Sequence, residues 1–557
     1  AAGAAPTPTP NPNPETCLLL AAPTDVPAMR VSRRRVLPGL VAAMAATSAR
    51  GLASGVLEKL DPTRFNRRFE DAGAANTTPL TVVRKSQWSS FLKDQPPTTK
   101  AWLAALGREK HKGGQVTTIP GSDGSLERVL FTVGDADFED LWAYGNLPKS
   151  LPPGNFALEI LEDGDGDFEE VKKRIALSWA LGSYKYEALR KADKPGSNAA
   201  LCWPLEGAAR QHVESAAKAA YLCRDLITTP CEDCGPADLE QAARRLFAAH
   251  EGTSASSIVG DDLLRKNFPM IHAVGRAGAA GREPRLVELT WGPEDAPKVT
   301  LVGKGVCFDT GGLDIKPPAA MLTMKKDMGG AAHVLGLASM IMDRGLNVRL
   351  KVLLAIVENN IDGNAFRPGD VLRSRLGKTT EIGNTDAEGR LILADALTYA
   401  AEESPEMIID MATLTGASRV ALGADVPSVF SNDDELAREL QDLSAGVPDQ
   451  VWQLPLWKGY RAQLKSNIAD MKNIGMSYGG AITAALYLAE FVKKPAANEE
   501  ESAGDEEDDA EAAPKAPKWL HMDVMAYNQG TRPGRPEGGE AQGMRAFFAL
   551  LEKKYAS

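Results

Sequence analysis

The chain has 557 residues, 63 Lys plus Arg against 74 Asp plus Glu, a formal charge of −11, and a composition that is 43% hydrophobic and 6% aromatic. That length implies more than one domain, and the excess of acid argues against a chain built to grip nucleic acid through clustered Lys and Arg. The longest uncharged apolar run, residues 36–46, is shorter than the roughly 18–20 residues of a membrane helix, so the expectation is a soluble globular protein with neither nucleic-acid nor membrane partners.

Residues 1–28 are rich in Ala, Pro, Thr and Asn, and residues 26–57 carry no acid while Arg30, Arg33, Arg34, Arg35 and Arg50 flank the apolar run. Such a stretch buries too little to fold, so residues 1–60 are expected to form a disordered leader. Its basic part reads equally as an organellar targeting segment over residues 29–50, a twin-arginine-like export signal, or a plain basic tail. The compartment expected is therefore the cytoplasm, with a mitochondrion or other organelle as the alternative.

Residues 61–205 mix strand-like runs (128–133, 156–160) with a helical one (168–181) and are read as a smaller N-terminal α/β domain without a catalytic motif. Apolar spacing predicts a linker helix within residues 206–230. Over residues 231–557, branched runs at 298–302, 348–357 and 407–411 alternate with helical stretches at 328–343 and 388–402. That alternation predicts an α/β/α catalytic domain around a mixed, largely parallel sheet, with functional loops at strand ends. Residues 494–518 interrupt it as an expected disordered acidic insert, whose removal should barely affect metal binding or turnover. Residues 499–511 alone hold nine acids and no base, and residues 1–50 carry +3, which leaves −5 for the rest of the chain. The net acidity thus says little about a substrate.

The six cysteines are no disulfide scaffold in a chain this long, and a reducing compartment is expected. Cys231 and Cys234 have C-x-x-C spacing but no second pair to complete a zinc set, and no HExxH exists for a histidine-based zinc site. The chemistry sits in three other segments. Residues 302–312 (VGKGVCFDTGG) are expected to turn sharply after a buried strand, bringing Lys304 and Asp309 to its mouth. Residues 324–330 (MKKDMGG) put Asp327 at a helix start, and residues 384–391 (NTDAEGRL) put Asp386 and Glu388 two apart ahead of the next helix. Singly these read as caps and turns. Together, four acids on loops of one sheet edge would repel one another unless divalent cations neutralise them, which suggests a dinuclear hydrolase site.

The octapeptide Asn384–Leu391 resembles the signature of the leucyl aminopeptidase family, the hexameric dinuclear zinc aminopeptidases, and the intervals to Lys304, Asp309 and Asp327 match it too. The resemblance runs from about residue 224 to residue 540 and is only general in the first domain. It implies two divalent metal ions, zinc or manganese. Lys304, as a neutral amine, and Asp327 would hold the tighter one, Asp309 and Glu388 would bridge, and Asp386 would serve the more exchangeable one. Lys316 would stabilise the oxyanion, and Arg390 would hold a bicarbonate acting as general base. Met324, Thr413 and Gly416 match the lining of an apolar pocket, implying preference for peptides beginning with Leu or Met, while Met525 and Asn528 depart from the family pattern. The resemblance also implies a homohexamer built as a dimer of trimers. A non-catalytic scaffold is disfavoured because no ligand position is lost, and a phosphoesterase because a lysine ligand suits peptides with a free amine.

Overall fold

The computed structural model describes residues 55–161, 168–189, 198–493 and 516–556. Most of the expected leader and of the acidic insert lies outside the described residues. At their edges, residues 57–59 form a 3-10 turn that buries Leu57, and Lys518 already begins a strand.

Residues 69–202 build a six-stranded sheet in the order β1 (Phe69–Glu70), β6 (Ala199–Cys202), β5 (Gly154–Ile160), β2 (Thr77–Arg84), β4 (Leu126–Val133) and β3 (Gln115–Pro120). All pairs are parallel except β3 with β4. The helix Phe168–Gly182 buries Val171, Ile175 and Trp179 in that sheet's core. The helix Gly207–Thr228 follows, with Ala216, Ala219, Ala220 and Cys223 in the same apolar cluster as the helix Gly329–Asp343.

The second sheet has eight strands: β15 (Trp452–Gln453), β14 (Ser428–Ser431), β17 (Lys518–Asp523), β13 (Met407–Ala412), β9 (Lys298–Asp309), β10 (Arg349–Asn359), β8 (Arg285–Trp291) and β7 (Ser254–Val259), in that order. Its centre, β17-β13-β9-β10, is parallel, while β14 with β17, β8 with β10 and β7 with β8 are antiparallel, so the sheet is mixed and largely parallel. Val299, Leu301 and Val302 of β9 and Leu350 to Val357 of β10 are nearly all buried, as expected of strands covered on both faces. The helices Gly329–Asp343 and Gly389–Glu402 belong to the two different apolar clusters into which these strands send their side chains. A small sheet of β11 (Val371–Arg373), β12 (Thr379–Glu381) and β16 (Met471–Lys472) completes the elements near the site. Among the described residues no helix is long and apolar enough to cross a membrane.

One expectation is overturned. The glycines at 303 and 305 do not turn the chain after residue 302; β9 continues to Asp309. They serve close packing instead: a Cβ on Gly303 would lie 2.7 Å from Cα of Ala331, and one on Gly305 would lie 2.9 Å from the carbonyl oxygen of Ala355. The sharp turn comes at Gly311 and Gly312, whose φ of +88° and +64° side-chain-bearing residues rarely adopt.

Candidate metal centre

The carboxyl ends of parallel β9, β10 and β13, with the turns that follow them, converge on one site, as open α/β sheets tend to do. Lys304 and Asp309 come from β9, Asp327 from a 3-10 turn over Met324–Met328, and Asp386 and Glu388 from the loop before the helix Gly389–Glu402. Lys304, Asp309, Asp327 and Glu388 are buried, and Asp386 is half-buried.

Lys304 Nζ lies 2.8 Å from Asp327 Oδ2 and 2.8 Å from Glu388 Oε1, and it donates to the Thr413 carbonyl at 2.9 Å. Asp327 Oδ1 accepts from the Thr413 hydroxyl at 2.7 Å. Asp327 Oδ2 and Glu388 Oε1, both buried, face the Lys304 ammonium and have no other hydrogen-bond donor among the described residues. Lys316 Nζ is 2.8 Å from Asp309 Oδ2 and also contacts Asp386 Oδ1. Asp309 Oδ1 accepts from the amide of Gly311 at 2.9 Å and from Asn359 Nδ2 at 2.8 Å.

Oxygens of Asp309, Asp386 and Glu388 lie within 4.8 Å of one another. At that spacing each pair of full charges repels by about 3 kcal/mol with an effective dielectric constant of about 20. The four acids face two ammonium groups, so the cluster is short of two positive charges. Its protonation reflects this. Burial raises Asp327 to about 7, with Lys304 opposing and Glu388 and Asp309 adding to the rise. Burial and then Asp309 raise Asp386 to about 7 as well. Burial alone would lower the Lys304 ammonium, but Asp327, Glu388 and Asp309 outweigh it and hold that pKa above its usual range. An oxygen-rich donor set and a deficit of positive charge in direct contact with it both fit divalent cations.

Arg390, at the start of the same helix as Gly389, is buried; its Nη1 donates to the carbonyl of Asn473 at 2.5 Å and its Nε has no hydrogen-bond partner among the described residues. Burial lowers its pKa from the usual arginine value. Met324 is buried at the head of the turn that carries Asp327, and Gly416 is exposed at the start of the helix Gly416–Leu422. Arg419 of that helix places Nη1 3.4 Å from Met525 Sδ, and its Nη2 lies 3.4 Å from where a Cβ on Gly416 would be. Asn528 is engaged elsewhere, donating to Glu540 Oε2 at 2.6 Å in a buried network with Arg224.

Four residues that sequence reasoning passed over hold the loops in register. Asn359 bridges Asp309 and the Thr385 carbonyl, at 2.8 and 3.1 Å. Thr385 and Asp314 clasp each other through N–H to Oδ2 at 2.7 Å and N–H to Oγ1 at 2.8 Å. Asn473 Nδ2 donates to the Asn384 carbonyl at 2.7 Å. Only Asn359 left a signal, as an amide ending a buried apolar strand. The C-x-x-C pair is not a metal set here: the Cys231 thiol donates to Glu358 Oε1 at 3.0 Å and Cys234 is buried. A cavity of about 580 Å³ beside Trp457 and Trp519 shares no residue with the carboxylate cluster.

Residues 221–548 match the model of the cytosol aminopeptidase family, catalytic domain, and residues 78–204 match that of the M17 aminopeptidase N-terminal domain. The chain is 40% identical over 370 residues to Peptidase B of Photorhabdus laumondii, covering 65% of this chain and 81% of the relative. Among solved structures it resembles cytosol aminopeptidase from Coxiella burnetii, with 45% identity, a TM-score of 0.79, and coverage of 87% of this chain and 99% of the other. It also resembles the bottromycin maturation enzyme BotP, solved in complex with Mn, at 31% identity and a TM-score of 0.72, covering 86% and 100%.

Proposed function

The chain belongs to the cytosol aminopeptidase (M17) family of metal-dependent aminopeptidases, and from that premise we propose that it removes one amino-terminal residue at a time from peptides at a two-metal centre built by Lys304, Asp309, Asp327, Asp386 and Glu388. The observation that carries this reading is the buried cluster of four acids in direct contact with only two ammonium groups, Lys304 and Lys316. Lys304 and Asp327 would hold one ion, Asp386 the other, and Asp309 and Glu388 both. Bound there, zinc or manganese would supply a water acidified toward hydroxide and an acceptor for the free α-amino group of the peptide, which sets cleavage after the first residue.

The protein's own groups do the rest. Lys304 must give up its proton to serve as a ligand, because an ammonium has no lone pair. Asn359 and the Gly311 amide fix the Asp309 carboxylate, and the Thr413 hydroxyl fixes Asp327, so the ligand set is held by its neighbours. Lys316, between Asp309 and Asp386, would turn its charge to the scissile carbonyl and hold the oxyanion. Arg390, with an unpartnered Nε, would hold a bicarbonate as base for the proton that moves to the leaving amine. Met324, Thr413 and Gly416 would line the pocket for the first side chain, which favours Leu and Met. The domain division at residues 206–230, the homohexamer and a cytoplasmic site of action belong to the same reading.

The test compares a dipeptide such as Leu-Gly with its N-acetylated form at equal metal. Release of leucine from the first only is the expected result; equal cleavage of both would refute anchoring by the free amine.

A further inference from the structure

Asp386 differs from Asp309 and Asp327 in having no neutral donor to orient its carboxylate. Asp309 is held by Asn359 and the Gly311 amide, and Asp327 by the Thr413 hydroxyl. Among the described residues the Asp386 carboxylate is met only by Lys316, and the Lys316 ammonium only by Asp309 and Asp386. Where Lys316 and Asp386 sit is therefore decided by the backbone of the two loops that carry them, residues 310–316 and 384–388.

The first loop is a closed turn. Lys316 N–H donates to the Thr310 carbonyl at 2.9 Å, and a Cβ on Gly311 would lie 2.5 Å from the Asp314 carbonyl oxygen. In the second loop the Asp386 amide donates to Asn384 Oδ1 at 2.7 Å. Three short hydrogen bonds join the loops, all of them at Thr385. Its N–H donates to Asp314 Oδ2 at 2.7 Å, its Oγ1 accepts from the Asp314 amide at 2.8 Å, and the same hydroxyl donates to the Gly311 carbonyl at 2.6 Å. Thr385 is fully buried and its carbonyl is taken by Asn359 at 3.1 Å, so every polar group of the residue preceding Asp386 is committed. Asp314 is exposed, yet its carboxylate accepts an amide from the site rather than facing only water.

We propose that Asp314 is a positioning residue for the reaction: by clamping Thr385 it sets the distance between Lys316 and Asp386, and with it the hold on the second ion and the aim of the ammonium. It acts through those two residues. The proposal rests on the aminopeptidase reading of the same site.

The test compares the full chain with Asp314→Ala and Asp314→Asn. Manganese binding is followed by calorimetry, and kcat and KM for leucine p-nitroanilide are measured at saturating manganese. Asp314→Ala is expected to bind its first ion as the wild type does, bind the second at least about tenfold more weakly, and lose at least about tenfold in kcat with KM little changed. Asp314→Asn keeps an oxygen that can accept from the Thr385 amide, so it should recover both properties to within about threefold. Thr385→Val removes the two hydroxyl bonds from the opposite side; it should repeat the Asp314→Ala pattern and is read in its place should that variant fold poorly. Wild-type second-ion affinity and kcat in Asp314→Ala, equal weakening of both ions, or an Asn variant as impaired as Ala would overturn the inference and leave the aminopeptidase reading standing. No turnover by wild-type protein with both ions bound would overturn that reading and this proposal with it.

Discussion

Gly389 and Lys304 occupy one space: a Cβ on Gly389 would lie 2.7 Å from both Cε and Nζ of Lys304. A lysine tip on a surface would swing aside. This one is enclosed by Asp327, Glu388 and the Thr413 carbonyl, so it has nowhere to go. Gly389→Ala is therefore expected to displace the amine, lower metal occupancy by elemental analysis, and reduce turnover by about a hundredfold, as ångström-scale misplacement does. Wild-type occupancy in that variant would contradict the placement of Lys304 as a ligand.

Lys316 and Asp327 should separate under mutation. Lys316→Ala is expected to keep metal content and lose about a hundredfold or more in turnover, as loss of an oxyanion stabiliser does. Asp327→Ala should lose metal first, because its carboxylate is half of the Lys304 side of the cluster. Elemental analysis alongside kinetics distinguishes the two, and unchanged turnover in Lys316→Ala would remove that residue from the mechanism.

Metal uptake should release protons. Although burial opposes it, the Lys304 ammonium is held above its usual range by Asp327, Glu388 and Asp309, while burial raises Asp327 to about 7. Ions that compete with those protons bind more tightly as pH rises, by up to about tenfold per pH unit for each proton displaced. Weakly buffered titration with manganese, followed by a pH indicator, reads the release directly. Affinity that is flat between pH 6.5 and 8.5 would refute it.

A buried pair away from the cluster sets a second pH dependence. Asp410 on β13 pairs in register with His521 on β17, and His521 Nδ1 donates to Asp410 Oδ1 at 2.6 Å. Burial disfavours the imidazolium, but Asp410 outweighs it and raises the pKa above 6.5. A raised folded-state pKa gives stability that is complete below pH 6.5 and is lost as pH climbs through the folded value. Asp410→Asn should accordingly destabilise the protein more at pH 5.5 than at pH 9, read from denaturation midpoints. An equal loss at both pH values would contradict a charged His521.

What could be read from the chain was what is local. Asn384–Leu391 carries two proposed ligand positions, Gly389 and Arg390 within eight residues, so its chemistry survives as a string. The alternation of branched runs and helical stretches gave the sheet its parallel centre. What escaped is non-local or ambiguous. The clasp of Asp314 with Thr385 joins residues 71 apart, and Asp410 with His521 residues 111 apart. Nothing beside either partner announces the other. Gly303 and Gly305 carry the same letters whether a strand turns or its neighbours pack closely, and here the approach of Ala331 to Gly303 and of Ala355 to Gly305 decided for packing.

Hydrolysis of leucine p-nitroanilide by the purified full chain, measured after exhaustive chelation and again after adding back manganese or zinc, tests the two-metal aminopeptidase account most directly. Turnover should vanish with the metal and return with it, saturating as two ions bind per chain. Turnover that persists in protein shown free of metal, or no turnover with both ions bound, would contradict it.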